Sequence, residues 1–187
     1  MRLFVAIEIS DVLRNSVELR IESTRARLPA ASWLRPDALH LTLAFLGEQS
    51  DESVETIAGA LAVAASTPAS FSVHPAGAGF FPHHRAPRVA WITLEPAAPL
   101  VALAQSVRKE LERAGVGFDG KGFVPHLTIC RIRSRWRQED ADAFTQTFSD
   151  IDTPPFEVHE VVLFRSELRQ EGAVHTPLHR VSLVRRA

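Results

Sequence analysis

Hydrophobic positions along the chain alternate between two spacings. A mostly apolar run from Met1 to Ile9 reads as a buried strand. Ser10 then stands where an N-cap is needed, ahead of a helix whose apolar positions Leu13, Val17, Ile21 and Leu28 recur at helical spacing. A short Trp33-Leu34 stretch stops at Pro36, and Leu39 to Leu46 follows as a strand closed by Gly47. Between Asp51 and Ala65 the residues Val54, Ile57, Ala58, Leu61 and Ala65 share one side of an amphipathic helix that ends before Pro68. The order then returns. Arg88 to Glu95 is a strand, Leu100, Leu103, Val107 and Leu111 mark a helix ending at Gly115, and His126 to Ile132 is a strand. Two β-rich runs, Phe156 to Phe164 and Leu178 to Val184, flank a polar hairpin region containing Gly172.

The recurrence has a register. His40-Leu41-Thr42 and His126-Leu127-Thr128 lie 86 positions apart, and the same offset lays Val5 on Trp91 and Val17 on Leu103. Strand falls on strand and helix on helix, which implies a duplicated strand-helix-strand unit. No linker is long enough to separate independent domains. Residues 1–187 therefore read as one two-lobed domain with a pseudo-twofold repeat, a His40 half and a His126 half.

Composition narrows the function classes. Apolar residues make up 45% and charged residues 23%, values of an ordinary folded domain and unlike those of a disordered or membrane chain. With 21 Lys+Arg against 22 Asp+Glu the net charge is -1, so any anion site must be local. The single cysteine, Cys130, suits a reducing compartment, and the Leu3 to Ile7 run is too short for a signal peptide core or a bilayer span. A cytoplasmic monomer with no membrane partner is expected.

In a strand, alternate side chains share a face, so His40 and Thr42 stand on one side with Leu39, Leu41, Leu43 and Phe45 on the other. His126 and Thr128 repeat the arrangement against Leu127 and Ile129. One His-x-Thr in a strand is common and carries little by itself. Two copies at the same place in a repeated unit, each interrupting an apolar strand with paired polar groups, carry more, because such groups are costly to bury without partners. Two histidines and two hydroxyls supply what phosphodiester cleavage needs: a base, an acid, and donors to the phosphoryl oxygens. Histidine titrates near ~6.5, so one ring can be neutral while the other is protonated. No carboxylate or thiolate set has recognisable zinc spacing beside them, so neither metal nor cofactor is expected. A nucleotide 2′,3′-cyclic phosphate suits such a pair, since its strained ring sets the leaving oxygen opposite an attacking water.

The opening RLFVAIEI, HLTLAFLG (His40 to Gly47), PRVAWITL (Pro87 to Leu94), PHLTICR (Pro125 to Arg131) and LFRSEL (Leu163 to Leu168) together resemble the two-histidine phosphoesterases, in particular the bacterial and archaeal RNA 2′,3′-cyclic phosphodiesterases, also called 2′-5′ RNA ligases. The resemblance implies an α+β, bilobal, duplicated β-α-β fold, with antiparallel sheets facing a central cleft and helices outside. It implies that His40, Thr42, His126 and Thr128 line that cleft, with His40 as general acid to the departing 3′ oxygen and His126 as general base to water. It adds Arg131 as a phosphate or nucleotide contact, although strict alternation from His126 points Arg131 to the opposite face, so a bend or bulge is required.

The chain departs from the pattern where relatives carry a tyrosine in the C-terminal hairpin; it has no tyrosine, and His175 stands there. Phe45, Phe81, Trp91 or His175 can stack on a base in its place, or simply pack in the core. Arg131, Arg133, Arg135 and Arg137 read as an alternating basic run in strand conformation, either an RNA track or a solvated surface. His83 and His84, beside Arg85, read as a solvated loop, and Cys130, on the His126 face by alternation, as an inert thiol. The expected substrates are RNA ends or nucleotides with a 2′,3′-cyclic phosphate. A diesterase for a small cyclic phosphate such as an ADP-ribose cyclic phosphate, and a non-catalytic RNA-end binder, are the alternatives.

Overall fold

The structure, a computed structural model, describes residues 1–169 and 172–185. Along the chain run β1 (Arg2–Glu8), α1 (Asp11–Thr24), β2 (Ala31–Trp33), a 3-10 turn (Pro36–Ala38), β3 (His40–Glu48), α2 (Ser53–Ala65), β4 (Phe71–Phe81) and β5 (Val89–Glu95). They are followed by α3 (Ala97–Arg113), β6 (Leu127–Ile132), α4 (Gln138–Phe148), β7 (Phe156–Val158), β8 (Glu160–Arg169) and β9 (Gly172–Ser182). Ser10 caps α1 by accepting the Leu13 N–H, as its position predicts. At the end of α3, Gly115 takes φ +72°, and the Val116 N–H returns to the Leu111 carbonyl at 2.9 Å, a glycine-dependent closure.

The strands form two antiparallel sheets. One has the order β3-β1-β8-β9, the other β2-β6-β5-β4-β7. One continuous core cluster draws on all four helices and both sheets. Within it α2 packs on α3, α3 on β3, α4 on β4 and α1 on α4. The architecture is the expected α+β class. In each motif half a strand and its helix lead to an antiparallel partner, β1-α1-β3 in one and β5-α3-β6 in the other. The short β2, from the first half, nevertheless pairs with β6 of the second, through Ala31 to Ile132 and Trp33 to Cys130.

β1 is buried on both faces. Leu3, Val5 and Ile7 enter the main core, while Phe4 and Ala6 join Val162 and Phe164 in a small second cluster. That second cluster carries the floor of the site described below.

Several sequence expectations change. The predicted Phe156 to Phe164 strand is two strands in different sheets: it breaks at His159, β7 pairs with β4, and β8 pairs with β1 and β9. β4 is unanticipated because Pro75, Gly77 and Gly79 interrupt its pattern. Gly79 has a packing reason, since a Cβ there would run into the Trp91 ring across the β4-β5 pair. α4 is also unanticipated, as only Ala141, Phe144 and Phe148 mark its buried face. The basic run is not a strand. β6 ends at Ile132, and the Arg137 N–H opens α4 by donating to the Asp140 carboxylate at 2.7 Å.

Candidate active site

Both motif histidines stand where a strand begins. The 3-10 turn ends at Ala38, two residues before β3 begins at His40, and the Ala38 carbonyl meets His40 Nδ1 at 2.8 Å. His126 stands just ahead of β6, and its Nδ1 lies 2.7 Å from the Val124 carbonyl. Val124 precedes Pro125, which holds it extended and has no N–H of its own to offer. A carbonyl only accepts, so in each ring Nδ1 carries the proton. Nε2 is left as the atom that takes up or gives up a proton.

His40, Thr42, His126 and Thr128 all line one cleft of about 710 Å³. β3 brings the first pair from one sheet, and β6 with the residue just ahead of it brings the second pair from the other. Phe45, Arg131 and His175 line it as well. The expected bulge is present, and it is present twice. In the β1-β3 pair, Val5 faces Ala44 and Ala6 faces Thr42, so Leu43 is an extra residue. In the β5-β6 pair, Ala90 faces Cys130 and Trp91 faces Thr128, so Ile129 is extra. Each bulge follows the motif threonine directly and resets the alternation. Strict alternation would put Phe45 away from His40 and Cys130 beside His126; instead Phe45 lines the cleft, Cys130 is 0% exposed in the core, and Arg131 turns into the cleft. Burial pushes the Cys130 thiol up to about 12, which keeps it protonated.

The surroundings of the histidines are aromatic. His40 lies on Phe4, with ring centroids 4.6 Å apart and planes at 29°, and His175 meets it edge-on at 5.1 Å. Phe4 in turn stacks on Phe164 at 5.2 Å. His126 is met edge-on by Phe81 at 4.9 Å, with Trp91 at 6.0 Å. Phe81 and Trp91, considered above as base platforms, therefore support His126 and do not line the cleft. Phe45, at 46% exposed, lines it together with His175 and Trp33. Neither Phe4 nor Phe164 stands out in the sequence. The available signal is that β1 carries apolar residues on both faces, more than a one-sided core requires.

Burial lowers the basicity of this whole cluster. His40 falls to about 4, first through desolvation and then through the opposing charge of His175, while its bond to Ala38 works the other way. His126 is lowered by burial, with a smaller contribution from the charge of Arg131. His175 is lowered by burial and partly restored by Asp37. At neutral pH these are neutral imidazoles beside the Arg131 guanidinium. Among the described residues no three or more His, Cys, Asp or Glu side chains are grouped to hold a metal ion.

The bulge in β3 leaves the Leu43 carbonyl outside the regular ladder, and Arg108 of α3 serves it through Nε at 3.0 Å. The same guanidinium donates to the Lys121 carbonyl at 2.7 Å and lies over the rings of Phe118 and Phe123 at 5.8 and 5.7 Å. The Asp119 N–H adds a bond to the Phe45 carbonyl at 2.8 Å. The loop that delivers His126 is thus fastened to the strand that carries His40. Nothing in the sequence points to Arg108, because its partners are all backbone carbonyls and ring faces.

The chain matches the family model described as the 2′-5′ RNA ligase superfamily over residues 13–170. It is 33% identical over 181 residues to the RNA 2′,3′-cyclic phosphodiesterase of Thermotoga maritima, an alignment covering 96% of this chain and 94% of that protein. Among solved structures it resembles TT0787 of Thermus thermophilus, with a TM-score of 0.77 at 28% identity and 98% of each chain covered. It also resembles Escherichia coli LigT complexed with 3′-AMP, with a TM-score of 0.69 at 27% identity and 98% of each chain covered.

Proposed function

The chain belongs to the 2′-5′ RNA ligase superfamily and is a cyclic phosphodiesterase, and on that premise we propose that it opens 2′,3′-cyclic phosphates of RNA ends or nucleotides to 2′-phosphomonoesters, by metal-independent acid-base catalysis between His40 and His126. The observation that carries this reading is the matched anchoring of the two rings. Each is fixed by its Nδ1–H on a carbonyl two residues back, and each is left with Nε2 as its working atom in a shared cleft.

In the proposed step His126 Nε2 takes a proton from water as the water oxygen bonds to phosphorus. The bond from phosphorus to O3′ breaks, and O3′ takes the proton held by His40 Nε2. Thr42 and Thr128 donate hydroxyl protons to the non-bridging oxygens, and Arg131 balances their charge. Solvent then restores the proton of His40 and removes that of His126. His40 is neutral in the free protein, so the substrate itself must charge it: an anion within ~4–6 Å favours the protonated ring. Its depressed basicity then makes it a ready donor to the leaving oxygen. With a ribose 5′-hydroxyl in the place of water, the same proton transfers join two strands through a 2′-5′ bond, the side activity we propose.

We treat residues 1–187 as one domain of two lobes, the His40 half and the His126 half, acting as a cytoplasmic monomer. Interlacing through β2 and a thiol needing no partner support that reading.

The test is turnover of nucleoside 2′,3′-cyclic phosphates by the purified protein in excess EDTA, with products identified by phosphorus NMR. Undiminished rates and a 2′-monophosphate are expected. His40→Ala and His126→Ala should each lower kcat by ~10² to 10⁴-fold while product binding survives. A 3′-monophosphate would reverse the assigned roles, and activity lost to chelator but restored by zinc or manganese would overturn the metal-independent mechanism.

A further inference from the structure

A second cleft, of about 450 Å³, lies outside the histidine site and is lined by Arg85, Arg88, Arg133 and Arg135. These side chains come from two segments, the β4-β5 connection and the chain beyond β6. Both backbones are tied down. The Ile132 N–H donates to the Arg88 carbonyl at 2.9 Å, the Arg88 N–H to Phe81 at 2.7 Å, and the Arg133 N–H to Ala30 at 3.0 Å. Among the described residues Arg85, Arg88 and Arg135 have no carboxylate partner, and the Arg133 guanidinium is held by a neutral group, Ser32 Oγ, at 2.8 Å. Four like charges gathered on a chain of net charge -1 repel one another unless an anion enters.

Position says which anion. Arg133 lines this cleft and the histidine cleft alike, so the two are neighbours. A 2′,3′-cyclic phosphate is by its chemistry the 3′ end of a strand, so every other phosphate of that strand lies on its 5′ side. We propose that the arginine cleft is a subsite for the 5′-ward backbone phosphates of an RNA whose cyclic end sits between His40 and His126. This rests on the reaction proposed above and makes a strand, more than a lone nucleotide, the substrate to which the protein is fitted. Phosphate contacts of this kind are independent of base sequence and sensitive to salt.

The experiment compares kcat/KM for a nucleoside 2′,3′-cyclic phosphate and for a short oligoribonucleotide with the same end, at low and at physiological salt. The wild type and the double variant Arg85→Ala/Arg135→Ala are measured side by side. Neither substituted arginine lines the histidine cleft, and both are exposed. The wild type should favour the oligonucleotide by about 10-fold at low salt, with a log-log salt slope steeper by ~0.7 for each phosphate held. The double variant should bring the oligonucleotide down to the mononucleotide value and leave the mononucleotide rate unchanged. Equal rates and slopes for the two substrates in the wild type would overturn the subsite, as would a double variant that lowers both substrates alike. If the wild type turned over neither, the reaction itself would be wrong. The subsite would then be judged by anisotropy with a 2′-phosphate-ended oligonucleotide, whose binding must weaken in the double variant for the proposal to stand.

Discussion

Phe45 and Arg131 occupy equivalent places in the cleft: each lies five residues after its histidine, and each follows a bulge that turns it onto the histidine's side. One position offers a ring and the other a cation. If the pair divides recognition between a base and a phosphate, their defects should be separable. Arg131→Gln should lower kcat/KM by ~10 to 10²-fold for every cyclic nucleotide, because it removes a charge from the phosphoryl oxygens. Phe45→Ala should raise KM by ~5- to 10²-fold, more for purines than pyrimidines, corresponding to the loss of about 1–3 kcal/mol of stacking. Steady-state kinetics with the four nucleoside cyclic phosphates would separate them, and a base-dependent loss in Arg131→Gln would refute the division.

Arg108 joins the β3 bulge to the loop ahead of His126, so its loss should be felt in both stability and rate. Arg108→Met keeps much of the stem over Phe118 and Phe123 but strands the Leu43 and Lys121 carbonyls. Urea denaturation should show a loss of about 1–3 kcal/mol, with kcat/KM falling further than stability alone accounts for. Arg108→Lys should be intermediate, since one ammonium cannot reproduce the planar fork. Full activity in Arg108→Met would show that the loop is held by other means.

The strand-helix-strand units, the cap of α1 and the shared cleft of the two histidines were legible because periodicity and motif spacing are local signals. Arg131 was legible only through resemblance, because alternation placed it wrongly. The reason is the extra residue at Ile129, which is apolar and leaves no mark in a hydrophobic pattern. β4 was hidden for a similar reason: Gly79 is small so that Trp91 can lie across it, a long-range requirement that reads locally as a loop. The arginine cleft was partly visible as a basic run. Its true partners, Arg85 and Arg88, come from a segment more than forty residues earlier in the chain.

The lowered basicity of the cleft has a thermodynamic consequence. A histidine at about 4 in the folded state against ~6.5 unfolded binds fewer protons when folded over that interval. Its contribution to stability is therefore present above ~6.5 and is lost as pH falls toward 4, by up to roughly 3 kcal/mol for His40. His126 and His175 shift in the same direction and add to the effect. Thermal melts from pH 7 to pH 4 should show the His40→Gln variant losing less Tm than the wild type. An equal loss in both would mean that His40 titrates normally in the folded protein.

His175 supplies the means to learn which role His40 plays. It meets the His40 ring edge-on at 5.1 Å, its Nδ1 is buried with no hydrogen-bond partner among the described residues, and a charge on it opposes a second charge on His40. His175→Phe keeps a ring at that place and removes the charge, so the pKa of His40 should rise. The pH profile of kcat/KM reports free-protein groups, and both His40 and His126 are lowered, so under the proposed mechanism the wild-type bell should be centred below ~6.5. If His40 must be protonated to act, activity is lost as pH climbs past its pKa, and His175→Phe should carry the alkaline limb upward while the acid limb stays. If His40 were instead the base, the acid limb would move upward and the alkaline limb would stay. Proton NMR titration of the His40 ring in the same variant fixes how far the limb must travel. A raised His40 pKa with an unmoved profile would exclude His40 from proton transfer altogether.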